Sequence, residues 1–181
     1  LVVVVGPTAS GKTDLAINIA KQFSGEVISA DSRQVYKELD IGTAKVTEVE
    51  MQGIPHHLLD MVDINTVYTA AHFKKDSAKF IEEIAARDNL PIVAGGTFFY
   101  IDALLGKSAL PKVSPNPELR AKLEEKTAKE LYEELSSKDA RRAADIDPDN
   151  KRRLIRALEI IAELGEVPVL EPPDPPYDTL T

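Results

Sequence analysis

The stretch Gly6-Pro7-Thr8-Ala9-Ser10-Gly11-Lys12-Thr13 limits what this chain can fold into more than any other. It matches G-x-x-x-x-G-K-[ST], a phosphate-binding loop, which belongs between a buried strand and the start of a helix. Both flanks agree with that setting. Leu1-Val2-Val3-Val4-Val5 is a continuous apolar run, as in a strand buried on both faces. Leu15, Ala16, Ile19, Ala20 and Phe23 then recur at helical spacing. Gly6 and Gly11 let the backbone curl so that successive N–H groups point at one anion. The helix N-terminus adds partial positive charge. Lys12 brings a point charge to the outer phosphates, and the Thr13 hydroxyl is placed to ligate Mg²⁺. The competing interpretation is a glycine turn that binds nothing, and the two matching flanks argue against it.

The residues up to about position 105 continue the α/β pattern. Ser24-Gly25 stops the first helix, and Glu26-Val27-Ile28-Ser29-Ala30 reads as a second short strand. In open α/β sheets the chemistry sits at the C-terminal ends of the strands, which puts Asp31-Ser32-Arg33-Gln34 near the phosphate loop. Asp31 has two readings, a catalytic carboxylate or the N-cap of a helix that follows. Residues 36–53 are mixed, with Gly42-Thr43-Ala44-Lys45 as a loop. Pro55-His56-His57 invites a metal, but adjacent residues do not share a face and no third ligand is close in sequence, so both His are assigned structural roles. Thr69 to Arg87 is an amphipathic helix with Phe73, Ser77, Phe80, Ile81 and Ile84 on one stripe. Pro91-Ile92-Val93-Ala94 is the next buried strand, followed by Gly95-Gly96-Thr97 and a helical stretch from Phe98 to Leu105. Many phosphate-loop nucleotidases hold Mg²⁺ through an acidic residue at such a strand end. Here that position is Gly95-Gly96-Thr97, and the nearest acidic candidate is Asp31. The glycines permit a close approach by backbone or substrate, or they make a plain tight turn.

From Leu110 the composition changes. Pro111, Pro115 and Pro117 form a linker, and Leu119, Leu123, Leu131 and Leu135 make a helical stripe. A further helix, about Asn150 to Leu164, buries Leu154, Leu158 and Ile161 and carries Lys151, Arg152, Arg153 and Arg156 at its start. Cations there oppose the helix dipole, which suggests an anionic partner. Pairing with Asp145, Asp147 and Asp149 is the other reading. The formal net charge of −8 has the wrong sign for indiscriminate nucleic-acid binding, so any such contact needs a local basic patch. Cysteine is absent, which excludes disulfides and thiolate metal sites and fits the cytoplasm. No apolar run has the length of a membrane span. The expected division is a phosphate-loop α/β core over 1–110, with a parallel sheet flanked by helices. A helical insertion follows over 111–166, and a Pro-rich return segment over 167–181, of which Pro172 to Pro176 is a stiff connector.

On chemistry alone, three classes fit. One is a small-molecule kinase with Asp31 accepting a hydroxyl proton. The second is a transferase in which pyrophosphate leaves and carbon moves. The third is a non-catalytic nucleotide-binding module, disfavoured by the missing acidic strand end.

The joint pattern is more specific. Gly6–Thr13, Asp31-Ser32-Arg33-Gln34-Val35-Tyr36, Asp40-Ile41-Gly42-Thr43-Ala44-Lys45, Pro55-His56-His57-Leu58-Leu59-Asp60, Gly95-Gly96-Thr97 and Arg152-Arg153-Leu154-Ile155-Arg156-Ala157-Leu158-Glu159 occur in that order. Together they resemble the tRNA dimethylallyltransferases, also called tRNA isopentenyltransferases, more than the adenylate isopentenyltransferases that share the loop. The resemblance implies transfer of a dimethylallyl group from its diphosphate to the N6 amine of the adenosine 3′-adjacent to the anticodon. The loop, Gly6, Pro7, Thr8, Ala9, Ser10, Gly11, Lys12 and Thr13, would hold the donor's pyrophosphate rather than ATP, with Mg²⁺ at Thr13. Asp31 would be the general base, with Lys12 and Thr13 as its catalytic companions. Asp31, Ser32, Arg33, Gln34, Thr97, Arg120, Arg152, Arg153, Leu154, Ile155 and Arg156 would contact tRNA, and the helical insertion would grip the anticodon stem-loop. The partners implied are that stem-loop and dimethylallyl diphosphate, with no membrane, for a cytoplasmic monomer. The family continues past the last motif seen here, so 1–181 reads as part of a longer protein and is expected to turn over poorly alone.

Overall fold

Four short apolar stretches align as parallel strands. β1 (Val2–Val5), β2 (Gly25–Ser29), β3 (His56–His57) and β4 (Leu90–Gly95) pair in the order β1-β4-β2-β3. The computed structural model describes residues 1–108, 111–169 and 174–181. The junction expected near residue 110 and the 170–173 part of the Pro-rich segment lie outside them. The described chain divides into two compact units, Leu1–Ala109 with Pro172–Thr181, and Leu110–Glu171.

In the first unit β4 takes the centre, between β1 and β2, and Ile92 and Val93 are fully buried there. This explains its unbroken apolar run. Parallel neighbours need crossovers. α1 (Lys12–Phe23) links β1 to β2, and α3 (Ala70–Ala85) leads into β4. A single-turn α2 (Glu48–Met51) lies between β2 and β3, and α4 (Phe98–Leu104) follows β4. On the free side of β1, Leu180 forms a parallel bridge to Val2, and the Val3 N–H donates to its carbonyl at 2.8 Å.

The helix faces differ from expectation in one place. α1 buries Ala16, Ile17 and Ala20, whereas Leu15 and Phe23 are 52% and 58% exposed. The face that meets the sheet is the one carrying Ala16, Ile17 and Ala20, and the approach is closest at Ala20, where a Cβ on Gly25 would lie 3.1 Å from its Cα. In α3 the stripe is as read. Phe73, Ser77, Ile81 and Ile84 are buried, and Phe80 packs on the His57 ring at 4.6 Å. The helix begins at a capping box between Thr69 and His72.

The second unit contains α5 (Pro117–Glu124), α6 (Ala128–Lys138), α7 (Ala140–Ala144) and α8 (Lys151–Leu164) around its own core of Leu123, Leu131, Leu135, Ile146, Leu154 and Leu158. The single leucine stripe is two helices. Thr127 and Glu130 form a capping box that starts α6 afresh after α5 ends. Asn116 caps α5 with Pro117 in its first turn, and Asn150 caps α8.

Candidate functional site

The phosphate loop occupies the turn between β1 and α1. Ala9 and Gly11 both adopt left-handed backbone, at φ 61° and 78°, and Gly11 is the residue just before α1. Such turns aim backbone N–H groups into a concavity. The Lys12 ammonium lies across the loop, donating to the Pro7 carbonyl and reaching the Ser10 hydroxyl at 3.5 Å. A Cβ on Gly6 would sit 3.0 Å from that hydroxyl, so the loop is tightly closed there. Thr13, Thr8 and Pro7 are exposed.

A cavity of about 400 Å³ opens over the loop. Ala9 to Asp14 form one side, and Ala44, Val46 and Glu50 form the other. The second wall was not assigned from the sequence. Its only signal was the Gly42-Thr43-Ala44-Lys45 loop. That loop is held by the Lys45 ammonium, whose side chain is 6% exposed. It bonds to Asp40 at 2.6 Å, Asp60 at 2.5 Å and the Tyr36 carbonyl at 2.9 Å. Burial pulls the Lys45 pKa down, but the two carboxylates more than offset this and hold it above the usual lysine value.

At the end of β2, Asp31 closes a turn instead of capping a helix. Its Oδ1 accepts the N–H of Arg33 at 2.8 Å and of Gln34 at 3.3 Å, and residues 32–35 form turns with no helix after them. Oδ2 has no hydrogen-bond partner among the described residues. The strand-end loops lock together beside it. Thr97 Oγ1 accepts the Ser32 N–H at 3.0 Å, and the Thr97 N–H donates to the Ala30 carbonyl at 3.1 Å. A Cβ on Gly95 would lie 2.2 Å from the Ala30 oxygen, and one on Gly96 3.5 Å from the Gly6 oxygen. Gly95 is therefore required for backbone contact, while Gly96 lies at ordinary van der Waals distance from the loop. Together they bring the β4 end against both the Asp31 turn and the start of the phosphate loop. Beneath this turn, burial pushes the Tyr100 phenol up, with Tyr36 and Asp31 adding to the effect. Tyr100 stacks on Phe73 at 4.8 Å.

The two histidines have protein partners. His57 Nε2 meets Glu26 at 2.7 Å, and His56 Nδ1 lies 2.8 Å from the Ile54 carbonyl. Glu26, 4% exposed, also accepts from Arg87 and Asn89. No group of three or more His, Cys, Asp or Glu among the described residues could hold a metal ion. A single threonine hydroxyl beside a phosphate loop does suit Mg²⁺, which keeps several waters and takes its other ligands from phosphates.

In the helical unit the basic residues separate into two kinds. Arg120 grips Glu159 through Nε and Nη2, at 2.8 and 2.9 Å. Arg156 bonds the same carboxylate and donates to the Val113 carbonyl at 2.8 Å. Arg152 and Arg153 are exposed, with no ion pair among the described residues, and neither they nor Arg156 pair with Asp145, Asp147 or Asp149. Leu154 and Ile155, placed above among the tRNA contacts, are 0% and 4% exposed, so their side chains serve the core instead. Glu159 was missed in the sequence. The available signal was an acid at i+4 from Ile155, on the apolar face of α8. Burial raises its pKa, yet Arg120, the Asn116 N–H and Arg156 more than reverse this and leave it at about 2.

A protein-family model described as IPP transferase matches residues 34–180. The tRNA dimethylallyltransferase of Roseiflexus sp. (strain RS-1) is 46% identical over 188 aligned residues, covering 100% of this chain and 61% of that protein. That of Thermomicrobium roseum is 51% identical, covering 91% of this chain and 51% of its own length. Among solved structures, the full-length tRNA isopentenylpyrophosphate transferase of Bacillus halodurans aligns over 99% of this chain and 57% of its own, at 41% identity and TM-score 0.63. A eukaryotic dimethylallyltransferase acting on tRNA aligns over 92% of this chain and 42% of its own, at 36% identity and TM-score 0.78. The chain spans 61% and 51% of the two curated relatives it matches here.

Proposed function

The chain belongs to the IPP transferase family, and from that premise we propose that it carries the donor-binding and base-bearing part of a tRNA dimethylallyltransferase. The reaction moves a dimethylallyl group from its diphosphate to the N6 amine of the adenosine 3′-adjacent to the anticodon. One observation carries this reading. Asp31 stands at the end of β2 with no hydrogen-bond partner for Oδ2 among the described residues, while the β4 end, which reaches both the Asp31 turn and the start of the phosphate loop, offers glycines and a threonine in place of an acid.

An adenine amine is a weak nucleophile because its lone pair is delocalised into the ring. A carboxylate that accepts its proton as the new C–N bond forms lowers that barrier. Asp31 Oδ2 takes this role, with the turn N–H groups on Oδ1 fixing the direction of the other oxygen. The pyrophosphate sits on the loop N–H groups and Lys12, which neutralise charge as the C–O bond to the donor breaks. Bound Mg²⁺, held by the Thr13 hydroxyl and phosphate oxygens, would supply further charge neutralisation. The target base must leave its stack to reach Asp31. Arg152 and Arg153 are the exposed cations suited to the stem-loop backbone.

The test is mass spectrometry of tRNA nucleosides after incubation with dimethylallyl diphosphate and Mg²⁺, with ATP in a parallel reaction. A dimethylallyl adduct on adenosine supports the reading. Phosphate transfer from ATP to a small molecule would replace it with the kinase reading.

A further inference from the structure

Gln34 lies in the turn that Asp31 closes, and its side chain points back into the protein. Its amide orientation is fixed by its partners. Nε2 faces the carbonyls of Thr43 and Ala44, both at 3.2 Å, and a carbonyl can only accept. Oε1 therefore faces the Ser29 hydroxyl, which donates at 3.0 Å. Both amide hydrogens are spent, and one oxygen lone pair is used. That leaves at most one further bond for any outside partner.

The partners sit on two parts of the chain, the end of β2 and the Thr43-Ala44 loop. Ser29 ends β2 and is 7% exposed. Ala44 forms part of the cavity wall facing the phosphate loop. The Gln34 N–H is itself one of the two donors to Asp31 Oδ1. One side chain thus spans from the strand end next to Asp31 to the cavity wall that faces the phosphate loop.

We propose that Gln34 is a positioning residue that locks the Asp31 turn to the Ala44 wall of the phosphate cavity, and that it is not a nucleic-acid contact. This rests on the donor reading given above. Ser29 acts through Gln34 and belongs to the same device. Its burial keeps it from any macromolecular ligand, which makes it the cleaner probe.

The experiment measures calorimetric binding of inorganic pyrophosphate with Mg²⁺ to the chain, and binding of an anticodon stem-loop RNA. The proteins are wild type, Gln34→Ala, Ser29→Ala and Ser29→Thr, all held well below their melting temperatures. A neutral hydrogen bond is worth about 1 kcal/mol, so each alanine variant should bind pyrophosphate roughly fivefold more weakly, with Gln34→Ala the larger effect. Ser29→Thr keeps the hydroxyl and should restore wild-type affinity. Stem-loop affinity should hold in all variants. Weaker stem-loop binding by Gln34→Ala with pyrophosphate unchanged overturns the proposal in favour of an RNA contact. A lower melting temperature with both affinities unchanged overturns it in favour of plain structural support. If the wild type itself binds no Mg²⁺-pyrophosphate, the donor reading fails first, and the failure is visible without any variant.

Discussion

Arg120 holds both oxygens of Glu159, at 2.8 and 2.9 Å, tying α5 to α8 through a carboxylate that is 2% exposed. The Asn116 N–H donates to the same Oε1 at 2.6 Å, and Arg156 bonds Oε2. Each Glu159 oxygen is thus doubly engaged, so the charge is buried but fully paired, the condition under which burial is tolerated.

Acid should therefore loosen the helical unit. The Glu159 pKa falls from 4.5 in the unfolded chain to about 2 in the folded one. A depressed carboxylate contributes stability that is complete above its unfolded value and is lost as pH falls toward the folded one. Denaturation followed between pH 5 and pH 2 should show a fall in stability that Glu159→Gln reduces in part, since Glu134 and Asp139 of the same unit are also held below the usual carboxylate range. An unchanged acid profile in that variant would count against the assignment. Glu159→Ala at neutral pH should cost about 1–3 kcal/mol. The figure stays below that for a fully buried pair because the side chains of Arg120 and Arg156 are 40% and 33% exposed and can turn to water.

Lys12→Ala should weaken binding of dimethylallyl diphosphate and slow turnover, with stem-loop affinity close to normal. The reason is that the ammonium lies over the loop itself. Calorimetry with the donor and with ATP is the check, and much tighter binding of ATP would favour the kinase reading.

Arg152→Ala with Arg153→Ala should reduce the salt dependence of stem-loop binding. Each phosphate contact contributes roughly 0.7–0.9 to the slope of log K against log salt, so the pair should lower it by about 1–2. Donor affinity should stay constant. Arg120→Ala should act mainly on stability, because its guanidinium is committed to Glu159. A salt titration that moves with Arg120 and not with Arg152 and Arg153 would reverse this ranking.

Asp31→Asn retains the acceptor that closes the turn but removes the base. A positioned base is worth on the order of 10²–10⁴-fold, and the single-turnover transfer rate should fall by that much. Stem-loop binding should persist, and donor affinity should hold or tighten as a negative charge is lost near the pyrophosphate. A rate within a few-fold of wild type leaves Asp31 as a turn-closing residue only.

Gly95→Ala should be among the most damaging single-methyl substitutions, since the new Cβ would meet the Ala30 carbonyl oxygen at 2.2 Å. Overpacking of this kind costs about 1–3 kcal/mol or more. Thermal melts report the loss, and pyrophosphate binding reports how far the β4 end has moved from the loop.

Much of this is legible in the amino-acid sequence. The buried strand, glycine loop and helix of residues 1–23 follow from periodicity and glycine placement, which act within a few residues. The α3 stripe and the α8 core face were readable for the same reason. That Asp31 follows the C-terminal end of a strand was readable because the apolar run of β2 stops just before it. What tertiary structure decided were pairings across long separations. Glu159 meets Arg120 at 39 residues' distance, Ser32 meets Thr97 at 65, and Glu26 meets Arg87 at 61. No local propensity encodes such pairings, because each exists only once separate elements are docked. The exposed Leu15 and Phe23 mark the same limit. Helical spacing marks an apolar face, but which of its residues the sheet covers, here Ala16, Ile17 and Ala20, is decided only when α1 docks.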